Sequence, residues 1–158
     1  MTEGAHEGLD FNPDALHGFS LFSRLAADER ALLARCMRRR AFRSGESLTK
    51  QGAPAVSFFC ILAGMVDVTV HFAGANKTEK VATLGEGTTV GDFALADIDE
   101  CTATTTASAD TFTLEGNVVL MLALFERQPE LGKKVYKALS KALVARVQEQ
   151  NKNLFYLL

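Results

Sequence analysis

Residues 88–110, TTVGDFALADIDECTATTTASAD, hold the densest chemistry of the chain. A Gly91-Asp92 step leads into Phe93, Ala94 and Leu95. Glycine admits backbone angles and close approaches that other residues refuse, so this step can aim the following N–H groups at one spot. The first N–H groups of a helical turn have no partner within the turn, and together they suit an anion. The order therefore predicts a phosphate cradle, although the same turn and its apolar residues also read as plain packing with no ligand. Downstream, Thr102, Thr104, Thr105, Thr106 and Ser108 offer hydroxyls. Strand alternation would put only some of them inside, and β-branched threonines are equally good strand formers.

Around the cradle the charge is wrong for an anion. Asp97, Asp99 and Glu100 stand in the loop, and no Arg or Lys occurs between Lys80 and Arg127. Cys101 follows the acidic loop and reads as a redox or ligand thiol, or as a small neutral residue. His6, His17 and His71 have neither metal-ligand spacing nor a carboxylate partner in sequence, so no metal site is expected. No Ser-His-Asp set, phosphate-binding Walker loop or paired catalytic carboxylates stand out. The expectation is a protein without catalysis.

Composition bounds the rest. The 158 residues suffice for one domain with its own core. Apolar residues make up 47% and charged residues 23%, an ordinary globular balance. A net charge of -2 argues against a nucleic-acid domain that works through bulk charge. No apolar run approaches the roughly 18 residues that cross a bilayer. Three widely spaced cysteines and an acidic N-terminus without signal-peptide features give the expectation of a reduced, cytoplasmic chain with no membrane partner.

The elements that must position the cradle follow from periodicity. Residues 1–15 read as a flexible N-terminus. Leu16, Phe19, Leu21, Phe22 and Leu25 lead into a helix over residues 28–37 with acids first and arginines last. Arg35, Arg38, Arg39, Arg40 and Arg43 read either as a nucleic-acid patch or as a solvated helix end before the first strand. From Ala41 short strands are cut by glycine turns, which predicts an antiparallel roll or barrel. Residues 118–125 and a long segment from about Glu130 return to helix, with Leu131, Val135, Leu139, Leu143 and Val147 at four-residue steps on one face. Residues 152–158 form an apolar C-terminal tail, of the kind that packs against something.

The order Gly91-Asp92-Phe93-Ala94-Leu95, a variable loop, then Cys101-Thr102-Ala103-Thr104 resembles the phosphate-binding cassette of the cyclic nucleotide-binding domain family. The family pattern is roughly Gly-Glu-Leu-Ala-Leu, a loop, then Arg-Ala-Ala-Thr. Gly45-Glu46, Gln51-Gly52, the run from Phe59 to Gly64, and Gly85-Glu86-Gly87 resemble further landmarks, so the likeness extends over residues 21–151. It implies a mainly β, α+β fold: an antiparallel β-roll of jelly-roll type over residues 16–151, with helices at both ends.

The resemblance also implies roles. Asp92 takes the place of the Glu that holds the ribose hydroxyl, and Cys101 takes the place of the Arg that grips the cyclic phosphate. Backbone N–H groups near Ala94 and Leu95 would hold the phosphate, with Thr102 or Thr104 donating. Val147 and Gln148 on the last helix would cover the base, and that helix would form a homodimer interface. Losing one partner of a buried charge pair costs about 2–5 kcal/mol, or about 1.5 to 3.5 decades of affinity.

The expected function is a non-catalytic regulatory module in which cAMP or cGMP binding is weak or lost. A small anionic ligand and an unidentified effector protein are its expected partners. A genuine cyclic nucleotide sensor with a divergent cassette is one alternative, and a ligand-free dimerisation or docking domain is another. The winged helix-turn-helix of the family's transcription factors is not found in these residues.

Overall fold

The computed structural model describes residues 8–157, with side chains as far as residue 153. His6 and the other residues of 1–7 in the expected flexible N-terminus lie outside the described residues, as do the side chains of Leu154, Phe155, Tyr156, Leu157 and Leu158. The backbone of the expected tail continues the last helix.

Eight strands form two four-stranded antiparallel sheets, flanked by helices at both ends of the chain. One sheet has the order β1 (Met37–Phe42), β8 (Thr111–Asn117), β3 (Ser57–Ala63), β6 (Thr89–Val90). The other has the order β2 (Ser47–Thr49), β7 (Thr104–Ala107), β4 (Met65–Phe72), β5 (Lys77–Gly85). This is the antiparallel β-roll that the glycine-punctuated strands predicted.

Strand β3 explains why the roll is stable. Phe58 and Cys60 point to the helical side, where they join Phe22, Leu33, Leu114 and Met121. Phe59 and Ile61 point into the roll, where they join Phe42, Val66 and Val90. Both faces of the strand are therefore buried from Phe58 to Ile61, and its sequence after Ser57 is apolar rather than alternating. The close approach of β8 on β3 requires Gly116, because a Cβ there would run into the Phe58 ring.

Residues 8–15, within the stretch expected to be flexible, make contacts with the rest of the domain. Pro13 is buried in a 3-10 helix, Pro13–Gly18, and Leu9 and Phe11 pack on the helical core. The Arg39 amide donates to Asp10 at 2.6 Å.

Helix α1 spans Ala27–Ala34, shorter than the expected 28–37. Glu29 accepts from the Ala26 amide at 2.9 Å and from Lys134 at 2.6 Å, which fixes its start. Met37 and the arginines after it belong to β1. Strand periodicity puts Arg38 and Arg40 on one face and Arg39 on the other, where a helix would have scattered them. Arg38 and Arg40 meet the Glu115 carboxylate at 3.3 and 3.0 Å, and Ser57 donates to it at 3.0 Å. Burial works to raise the Glu115 pKa, but Arg40, Ser57 and Arg38 outweigh it and hold the carboxyl below its ordinary range. Two of the five basic residues thus neutralise a buried acid.

Helix α2 (Val118–Arg127) starts where the Asn117 side chain accepts from the Leu120 amide at 3.0 Å. Helix α3 (Pro129–Leu157) packs by Leu131, Val135 and Leu139, while every residue from 144 to 153 is exposed. Among the described residues no helix is long and apolar enough to cross a membrane.

Candidate functional site

The cassette is built by two residues in left-handed conformation. Gly91 (φ 76°) opens a short 3-10 helix, Asp92–Ala96, and Asp97 (φ 64°) closes it. A left-handed φ favours glycine. A Cβ on Gly91 would in addition sit 3.4 Å from the Ser57 carbonyl oxygen. The loop that follows is fastened to residues 52–55. Ala55 donates to the Asp99 carbonyl at 2.9 Å, Cys101 to Ala53 at 2.8 Å, and Gly52 to Cys101 at 2.9 Å. These backbone bonds put Cys101 beside the 3-10 helix, ten residues after Gly91.

Between the cassette, the β4–β5 hairpin and α3 lies a cavity of about 490 Å³. Of the residues singled out in the sequence, Gly91, Asp92, Phe93, Ala94, Cys101, Thr102 and Ala103 line it. Leu95 does not, being wholly buried in the helical core. Thr104 is also off the lining. It begins β7 and its hydroxyl turns away, accepting from the Gln51 amide at 3.0 Å. Thr105 lines the cavity instead, with its hydroxyl 2.8 Å from that of Thr49.

Of the three loop acids only Glu100 reaches the lining. Asp97 caps the 3-10 helix, and Asp99 is an exposed residue whose backbone ties the loop down. The β-strands add apolar wall, including Val68, Ala82, Leu84 and Val90, with the exposed Val81 and Ile98 also on the lining. Thr49, Ser57 and Cys101 also line a second cavity of about 350 Å³, which holds Arg40, Lys50 and Glu115.

The polar centre of the site is Asp92, whose side chain is 2% exposed. Thr89 donates to its Oδ2 at 3.1 Å, and Arg146 of α3 approaches the same oxygen at 3.4 Å. The Arg146 guanidinium also lies over the Phe93 ring, 4.9 Å from its centre. Behind Asp92, burial pushes the Cys60 thiol pKa up, and the Asp92 charge adds to that rise. That thiol is no nucleophile. Among the described residues no group of three or more His, Cys, Asp or Glu side chains is placed to hold a metal.

Arg146 is the residue that the sequence reading missed. Val147 and Gln148 are absent from the lining, which instead takes Arg146, Glu149 and Gln150 from α3. The reason is helical geometry. Each residue advances about 100°, so four steps of four residues turn Val147 about 160° from Leu131 and about 80° beyond Leu139, the last buried residue of the stripe. Val147 is accordingly 55% exposed. One three-residue step after Leu143 reaches position 146, about 60° from Leu131 and so between the directions of Val135 and Leu139. That substitution of step lengths was the available signal.

Comparison with known proteins came out in one direction. The family described as the cyclic nucleotide-binding domain matches residues 39–128, more than half of the chain. Among solved structures, Thermus thermophilus catabolite activator protein is 28% identical, with a TM-score of 0.72 over 87% of this chain. This chain spans 62% of that protein's length. A cyclic nucleotide-binding domain from Methylobacillus flagellatus KT is 23% identical, covering 98% of this chain and 84% of that one, with a TM-score of 0.77. A variant regulatory subunit of a cAMP-independent protein kinase A from Trypanosoma brucei is 20% identical. It covers 89% of this chain and 49% of its own, with a TM-score of 0.74. The last two likenesses concern the fold alone.

Proposed function

The chain belongs to the cyclic nucleotide-binding domain family, whose members are generally regulatory, and from that premise we propose that it is a regulatory module whose cavity responds to a small ligand while cAMP and cGMP bind weakly or not at all. One observation carries the reading. The cassette turn and an open cavity of about 490 Å³ are both present, and Cys101 lines that cavity at the position to which the sequence resemblance assigns the phosphate-gripping arginine.

The charges around the cavity support this. Arg146 is the one cation on the lining among the described residues, and Asp92 already engages it. Asp92, Glu100 and Glu149 oppose a phosphate. Using about 2–5 kcal/mol for the missing partner of a charge pair, affinity falls by about 1.5 to 3.5 decades. The Trypanosoma brucei protein gives a parallel. It is described as cAMP-independent, and a variant with three substitutions, one of them threonine to arginine, is described as bound to cAMP.

A genuine cyclic nucleotide sensor is the second reading, and Arg146 is the observation that favours it, since α3 supplies a cation the loop lacks. Calorimetric titration of the protein with cAMP and then cGMP, up to millimolar concentration, separates the two. The proposal expects no saturation in the micromolar range, whereas micromolar binding establishes the sensor.

The module works as a cytoplasmic homodimer through α3, and an effector protein reads its state. Supporting the dimer, α3 leaves Tyr136, Val144 and Val147 exposed.

A further inference from the structure

The pairing of Asp92 with Arg146 joins two parts of the molecule that otherwise hardly meet. Asp92 lies in the cassette and is fixed by its neighbours: Gly91 sets its backbone, Thr89 holds Oδ2, and its side chain is 2% exposed. Arg146 lies on α3, beyond the last residue of that helix in the packed stripe. Leu139 is buried and Leu143 half-buried, and from 144 to 153 every residue is exposed. A helical segment of this length without packing is marginal in water. Something must hold it over the cavity.

The observed holders are on the cassette. Arg146 bonds Asp92 at 3.4 Å and stacks on Phe93 at 4.9 Å, so one side chain grips two successive cassette residues. Glu149 and Gln150, one turn on, then come to line the cavity mouth. Planarity matters here, because a guanidinium can bond a carboxylate and lie on an aromatic face at the same time, which an ammonium does less well.

We propose that Arg146 is a latch: in the ligand-free chain it fastens the exposed second half of α3 to the cassette, and it does so on the same carboxylate that a ligand hydroxyl would use. Asp92 Oδ2 is taken by Thr89 and Arg146, so a ligand that brings a donor to this oxygen competes with the helix for it. A ligand with an anionic group beside that donor satisfies both halves of the opened pair. Binding and helix attachment are thereby linked, since a ligand shifts an equilibrium by its differential affinity for the two states. This linkage rests on the function proposed above; the latch does not.

Hydrogen exchange of the full chain tests the latch without any nucleotide, with wild type compared against Arg146→Gln, Asp92→Asn and the double variant. Amides over residues 144–153 should exchange roughly threefold faster or more in each single variant, in keeping with loss of a partly exposed tether. Amides over residues 131–139 should not change, and the double variant should exchange no faster than either single one. Unchanged exchange over 144–153 in Arg146→Gln, or additive effects in the double variant, overturns the latch. Should Asp92→Asn fail to fold, Arg146→Lys replaces it: charge without the planar stack should give protection between wild type and Arg146→Gln, and protection no better than Arg146→Gln overturns the role of stacking on Phe93. Because no ligand is present, a cAMP titration that contradicts the proposed function leaves this result legible by itself.

Discussion

In the proposed reading Asp92 and Cys101 set the character of the site, one as an acid where the family holds a ribose and the other as a neutral residue where it holds a phosphate. The same side-chain logic operates at Gly116, away from the cavity. A Cβ there would occupy the volume of the Phe58 ring, which is wholly buried. Gly116→Ala is expected to destabilise by about 1–3 kcal/mol through overpacking, read as a lowered urea midpoint at unchanged slope. An unchanged midpoint would mean that β3 and β8 can separate at no cost. The residue scale was legible where one residue type has one physical use. Gly91 was read as a turn glycine and adopts φ 76°. Thr104 falls off the lining because its orientation depends on where β7 begins, and composition does not fix strand phase.

At the scale of elements, α3 is divided. Its first half packs on the core apart from the exposed Tyr136, and its second half lies over the cavity, tied by Arg146, with Val144 and Val147 exposed. For the proposed dimer, Val144→Glu with Val147→Glu should shift light scattering from dimer to monomer, while a chain ending at residue 151 should remain dimeric. A dimer that survives the double substitution removes α3 from the interface. The apolar stripe of α3 was visible in the sequence, but its phase at the far end was not. Steps of four residues track the face for two turns and then drift, so the reading reached Val147 and passed over Arg146. Strand β1 was hidden for a different reason. Three consecutive arginines look like a helix end, and only the buried Glu115 on the neighbouring strand shows why they alternate.

For the molecule as a whole, the two sheets enclose one apolar interior with a charged end, and that end ties stability to pH. Glu115 has its pKa held below the ordinary value of 4.5 in the folded state. Its contribution is therefore present above pH 4.5 and is lost as pH falls through the lower folded value. Glu29 behaves alike: burial opposes ionisation, but the Ala26 amide and Lys134 outweigh it and lower its pKa. Urea unfolding at pH 7 and at about pH 3.5 should show a smaller acid loss in Glu115→Gln than in wild type. An equal loss in both would mean that Arg38 and Arg40 contribute nothing through this carboxylate. The roll itself was readable from the regular spacing of glycine turns, since such spacing admits few architectures other than a closed antiparallel one. The cavity's charge balance was not, because it depends on a helix that arrives from some fifty residues away.

In the proposed function the cavity is intact and the residue at 101 decides its affinity for a cyclic phosphate. The direct measurement is calorimetric titration of Cys101→Arg with cAMP, side by side with the wild type. The account predicts a gain of one decade or more in affinity, within the 1.5 to 3.5 decades that a restored charge pair is worth at about 1.4 kcal/mol per decade. No gain in a folded Cys101→Arg protein would contradict it.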